Sequence, residues 1–140
     1  MNTEIKYYVS PVDKEYVLRT GEINNCFNSA LKALLITDEL FSLTRTEDEI
    51  SLLIETETSD KYFSTDIPTD GPYRAYSLMT ANPGRDEAGI LSPITSLLAC
   101  ANIPILSIST YKCNYIFIPA EKTNEFEVLL SIEPEFELEN

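Results

Sequence analysis

Twice along its 140 residues this chain repeats one order of local patterns: a β-type run, an amphipathic helix and two further β-type runs. That repeat constrains the fold most, because a helix with one apolar face must bury it against a sheet. In the first half, Tyr7–Ser10 is a short apolar run closed by Pro11. Glu15–Thr20 carries Tyr16, Val17 and Leu18 as a strand stopped by Gly21. Asn24–Ile36 places Cys26, Phe27, Ala30, Leu31, Leu34 and Leu35 at three- and four-residue steps. This predicts an amphipathic helix with Asn24 or Asn25 as its N-cap. Leu40–Thr46 and Glu49–Glu55, joined by polar turn residues, read as a hairpin. Ser59–Pro72, with Pro68, Gly71 and Pro72, reads either as a short irregular helix around Lys61–Phe63 or as a linker.

The second half is clearer. Tyr73–Met79 alternates as a strand, and Thr80–Glu87 is a polar loop. Ile90, Leu91, Ile94, Leu97, Leu98 and Ala101 fall on one face of a predicted helix over Ile90–Ala101, with Asp86 and Glu87 ahead of its positive end. Asn102 and Pro104 end it. Ile105–Thr110 and Asn114–Pro119 are strands around a turn at 111–113. Glu121–Ile132 is helical, with Phe126, Val128, Leu129 and Leu130 as apolar contacts, and the acidic tail Glu133–Asn140 is expected to fray. The patterns predict an α+β chain of two tandem ferredoxin-like halves with antiparallel sheets. These are residues 1–70, with a linker from about 56, and residues 71–132, followed by the tail 133–140. Halves of about 70 residues are marginal alone and are expected to share a core or a sheet.

Charge and composition remove several functions. With 23 acidic against 10 basic residues the formal charge is -13, which repels nucleic-acid phosphates and anionic membranes. There is no histidine, so the commonest general base and metal ligand is missing. Cys26, Cys100 and Cys113 are scattered, without CxxC spacing; Cys26 and Cys100 read as small core residues, and no metal site is expected. Gly21, Gly71, Gly84 and Gly89 form neither phosphate-binding nor dinucleotide-binding loops. Serine or cysteine without a base is a weak nucleophile. No catalytic residue, metal or cofactor is therefore expected, and the chain reads as a non-enzyme. No apolar run reaches the roughly 20 residues that span a bilayer, and the polar start lacks a signal core, so a cytoplasmic location is expected. Asp86–Leu91 is a small-residue entry into a helix. Its backbone N–H groups could hold a carboxylate, or Gly89 could simply allow close packing of loop and helix.

Several ordered motifs carry a family resemblance. Leu40–Arg45 (LFSLTR), the acidic turn Glu47-Asp48-Glu49 and the apolar Ile50–Ile54 resemble a stretch of the ACT-like proteins that include the CASTOR cytosolic arginine sensors. Closer still are Gly89–Ile94 through Leu97-Leu98, Ile103-Pro104-Ile105, Ile108–Tyr111 and Asn114–Pro119. The resemblance spans about Tyr16–Leu130 and implies two tandem ACT modules, one half of such a sensor. It implies a ligand-binding regulatory protein, with a small molecule, an amino acid, held in a pocket at an ACT–ACT interface. It also implies a homodimer and leaves room for a regulatory protein partner. By this resemblance the ligand's amino-acid end meets Ala88, Gly89, Ile90 and Leu91. Pro104 and Ile105 form the partner-side wall, and Thr110, Tyr111 and Cys113 wrap the ligand. Asn114 matches an acidic residue that holds the ligand's cationic end in the sensors; an amide brings no charge there, and Lys112 stands beside it, so a neutral amino acid fits better than arginine. The alternative is an ACT-like dimer that presents a surface to a partner and holds no ligand.

Overall fold

The computed structural model describes residues 7–63, 67–80 and 91–139, without the side chains of residues 23–27. In chain order the elements are β1 (Tyr7–Gly21), α1 (Ile23–Ile36), β2 (Phe41–Arg45), β3 (Ile50–Glu55), α2 (Thr56–Tyr62), β4 (Thr69–Thr80), α3 (Ser92–Cys100), β5 (Leu106–Ser109), β6 (Asn114–Pro119), a 3-10 turn at Ala120–Lys122, α4 (Thr123–Ile132) and β7 (Phe136–Leu138). Two compact units emerge. The inserted unit is Lys14–Tyr73, and the flanking unit joins Met1–Asp13 to Arg74–Asn140. Strands β1 and β4 each contribute residues to both.

The inserted unit runs β-α-β-β-α-β. Its strands lie in the order β2-β3-β1-β4, second-third-first-fourth, which is ferredoxin-like topology. β3 is antiparallel to β2 (Leu43 opposite Leu52) and to β1 (Val17 opposite Ile54). Because side chains alternate across a strand, Val17, Leu52 and Ile54 share one face, where they cluster with Ala30, Ala33, Ile50 and Phe63. Helix α1 begins at Ile23 after Glu22, ahead of the predicted cap at Asn24 or Asn25. Its buried contacts are the small Ala30 and Ala33, while the predicted face residues Leu31, Leu34 and Leu35 are exposed; Cys26 and Phe27 lie outside the described side chains. Of the two readings for Ser59–Pro72, a helix is present, but it starts earlier, at Thr56. Gly71 has φ +133°, and a Cβ there would stand 3.1 Å from the Tyr16 carbonyl oxygen and 3.2 Å from the Tyr73 ring, so a side chain would be strained by the conformation and crowded by its neighbours.

The flanking unit orders its strands β7-β1-β4-β6-β5, with β5 and β6 antiparallel (Ile108 opposite Tyr115). Its apolar cluster draws Val9 from β1, Tyr76 and Leu78 from β4, Ile94 and Leu98 from α3, Ile116 and Ile118 from β6, and Phe126 and Leu130 from α4. Tyr76 packs edge-on to Phe126 at 5.0 Å. Helix α3 starts at Ser92 with Pro93 in its first turn, where a missing N–H costs nothing. It ends at Cys100, and the φ of 58° at Asn102 lets Asn102 N–H reach the Ala99 carbonyl (3.1 Å) and Ile103 N–H reach the Leu98 carbonyl (2.9 Å). That is a Schellman closure, with Leu98 and Ile103 both in the apolar cluster.

Three expectations need correction here. Pro11 does not end a strand: β1 continues through it, because β7 flanks Tyr7–Val9 and β3 flanks Tyr16–Gly21, so Pro11 sits in the gap where that side of the ladder needs no N–H. The tail does not fray at Phe136–Leu138, which pair with Tyr7–Val9; Tyr7 N–H donates to Glu135 O (2.8 Å), and Phe136 stacks 5.3 Å from Tyr7. Cys100 is exposed, not core. Among the described residues no helix is long and apolar enough to cross a membrane, and no His, Cys, Asp and Glu group could hold a metal ion.

Candidate functional site

The residues singled out from sequence fall in the flanking unit. Ala88, Gly89 and Ile90 lie outside the described residues. Leu91 is the residue before α3; its carbonyl accepts the Thr95 N–H at 3.0 Å, and its half-buried side chain packs on the apolar cluster. Pro104 is exposed, and Ile105 packs on the same cluster as Leu91.

Thr110, Tyr111, Cys113 and Asn114 come together in the β5–β6 turn. β-branched and aromatic residues hold the two strands extended, and the two-residue tip Tyr111-Lys112 reverses the chain. Thr110 ties the turn three times. Its N–H and its hydroxyl donate to the Cys113 carbonyl (2.8 and 2.9 Å), and its Oγ1 accepts the Cys113 N–H (3.2 Å). Asn114 accepts a 2.6 Å bond from the Ser109 hydroxyl across the hairpin. Tyr111 projects from the tip, 83% exposed. A side-chain hydrogen bond with Cys113, reinforced by burial, pushes the Tyr115 phenol above its ordinary range. Sequence reading missed Ser109 and Tyr115. Counting register outward from the turn pairs Ser109 with Asn114, so that contact was in principle available.

The structure does not gather all these residues within one chain. Pro104-Ile105 and Thr110–Asn114 sit at opposite ends of β5, five extended steps or roughly 17 Å apart. β5 ends the strand order, hydrogen-bonded only to β6 among the described strands, so its outer edge carries backbone donors and acceptors that no described strand pairs. The chemistry on offer is therefore that of a binding surface: a rigid polar turn, an exposed aromatic and an open strand edge.

A family model for the ACT domain matches residues 77–125, which include α3, β5, β6 and this turn. Among solved structures the chain is similar to a protein from Agrobacterium tumefaciens, with TM-score 0.76 and 19% identity over 96% of this chain and 95% of that one. A Vibrio cholerae protein described as a possible transport protein aligns with TM-score 0.71 and 16% identity, over 91% of this chain and 89% of its own. The regulatory subunit of aspartate kinase from Thermus flavus aligns with TM-score 0.56 and 9% identity, over 91% and 94%. At these identities the likeness is one of fold: an α+β, ACT-like architecture with antiparallel pairing.

Proposed function

We propose that this chain is a regulatory, amino-acid-binding protein built of two ACT-like modules and acting as a homodimer, a non-enzyme at work in the cytoplasm. The observation that carries the reading is the rigid Thr110–Asn114 turn at one end of an open edge strand, inside the segment that matches the ACT domain. Fold likeness to a regulatory subunit of aspartate kinase supports regulation, as does the sequence resemblance to the CASTOR sensors.

The dimer follows from the spacing along β5. If two copies pair β5 antiparallel across a two-fold axis, Pro104-Ile105 of one copy is carried towards Thr110–Asn114 of the other. Pro104-Ile105 and Thr110–Asn114 then converge at an ACT–ACT interface. Thermal-shift assays with each of the twenty amino acids, paired with light scattering, test this. A dimer stabilised by at least one amino acid at millimolar concentration is expected, because a ligand that binds the native state raises its stability by mass action. A monomer, or a dimer indifferent to all twenty, would count against it.

One observation favours the second reading, a partner-binding module without a ligand. Leu31, Leu34, Leu35 and Ile36 of α1 are 39%, 48%, 84% and 58% exposed, an apolar face of the kind that protein partners cover. An intact dimer blind to every amino acid would favour that role.

A further inference from the structure

This inference rests on the reading of the α1 face as a surface that a protein partner covers, not on amino-acid binding, and it concerns what that partner brings. Leu31, Leu34 and Leu35 stand at i, i+3 and i+4, outside the buried pair Ala30 and Ala33, and Ile36 follows across Lys32. The four span five helical steps, roughly 8 Å. A continuous aliphatic stripe marks an interaction surface, where one exposed leucine would not.

The charge at the end of the stripe says what fits it. From Ile23 to Ile36 the only charge is Lys32, while Asp38 and Glu39 follow just past the helix. Thr37 fixes the chain there: its N–H donates to the Ala33 carbonyl (3.0 Å), and its Oγ1 accepts the Glu39 N–H (3.1 Å). Neither carboxylate forms a salt bridge among the described residues. No basic residue in the last turn offsets the negative end of the helix dipole. The stripe therefore runs into negative charge that the helix does not compensate. A second copy of this chain fits poorly, because each copy carries a charge of -13 and each α1 would bring two carboxylates against one lysine. We propose that the α1 face docks a short amphipathic segment of another protein, with apolar side chains on Leu31–Ile36 and a Lys or Arg beside Asp38 and Glu39.

Fluorescence anisotropy on the full chain tests this with a labelled helical peptide carrying leucine at i, i+3, i+4 and i+7 and lysine elsewhere. Its controls are a glutamate-for-lysine analogue and a scrambled peptide of the same composition. Saturable binding of the lysine peptide is expected, with both controls at least about tenfold weaker. Leu35→Ser should weaken it about tenfold, and Asp38→Asn combined with Glu39→Gln should also weaken it. Leu35 is 84% exposed, so Leu35→Ser should melt as the unmodified chain does. No binding, equal binding of the scrambled peptide, or binding untouched by Leu35→Ser would overturn the proposal. A glutamate analogue held as tightly would overturn the charge inference and leave α1 as a partner face. Earlier melting of Leu35→Ser, or loss of its dimer in light scattering, would show that the chain itself covers the stripe and would remove both.

Discussion

The two units solve one packing problem with different materials. In the flanking unit the helices close on the sheet through Ile94, Leu98, Phe126 and Leu130, and the hydroxyl of the clustered Tyr76 donates to Glu127 at 3.1 Å. The inserted unit buries Arg19 and Glu55 to 5% and 6% exposure, while leucines of α1 stay outside. Arg19 is held by the Ile67 carbonyl (3.3 Å) and by Asp60 (3.8 Å), and Glu55 accepts from the Thr58 hydroxyl (2.7 Å). Burying a charge is tolerable only where such partners stand ready. The contrast teaches that apolar composition locates a helix without saying which of its residues face inward. It also separates a unit whose stability rests on shape from one whose stability rests partly on satisfied charge.

Truncating the flanking core should break that contrast most severely. Phe126→Ala is expected to cost about 3–5 kcal/mol in urea denaturation, because it opens a void beside Tyr76 and Leu130. The matched change Leu35→Ala in the inserted unit should stay within about 0.5 kcal/mol, its side chain being 84% exposed. Next in size is Arg19→Ala, expected to cost about 2 kcal/mol. It leaves the Ile67 carbonyl without its guanidinium donor, whereas Asp60, 71% exposed, returns easily to water. An effect below about 0.5 kcal/mol would mean that the buried guanidinium is no part of what holds the inserted unit.

Alkaline titration sharpens the comparison at smaller scale. Burial, then the hydrogen bond to Asp70 and its charge, pushes the Tyr73 phenol up to about 12. Burial and Glu127 move Tyr76 in the same direction, with Arg74 opposing. For a folded pKa raised above the unfolded one, the stabilisation is complete below the unfolded phenol value near 10. It is lost as pH climbs through the folded value. Stability should therefore fall between about pH 10 and 12, and less steeply in Tyr73→Phe, with tyrosinate absorbance arriving late. The smallest effect belongs to Ser59→Ala. The Ser59 hydroxyl is fully buried and has no hydrogen-bond partner among the described residues, so its removal should be neutral or stabilise by up to about 1 kcal/mol in thermal melts.

Much of the fold was legible locally. β6 falls on Asn114–Pro119, the bounds read from sequence, and the α3 face of Leu91, Ile94, Leu97, Leu98 and Ala101 is the one that meets the core. The rest required information that no local window holds. Nothing around Glu133–Leu138 announces that Tyr7–Val9 will pair with it, because an acidic run looks solvated until a distant strand supplies the ladder. In α1 the small alanines face inward and displace the leucines that hydrophobicity alone would have chosen. At the site, the residue types of the turn and the pairing of Ser109 with Asn114 were within reach of the sequence, but not the Thr110–Cys113 bonds that tie the turn. Those depend on register, which a one-residue slip would have reversed.

Hydrogen exchange of the full chain, with and without the amino acid that stabilises it most, tests ligand binding at the flanking unit most directly. Added protection at Leu106–Asn114, with Lys14–Phe63 unchanged, is the predicted result. Protection centred on α1 and β3, or none at any amide at millimolar ligand, would contradict it.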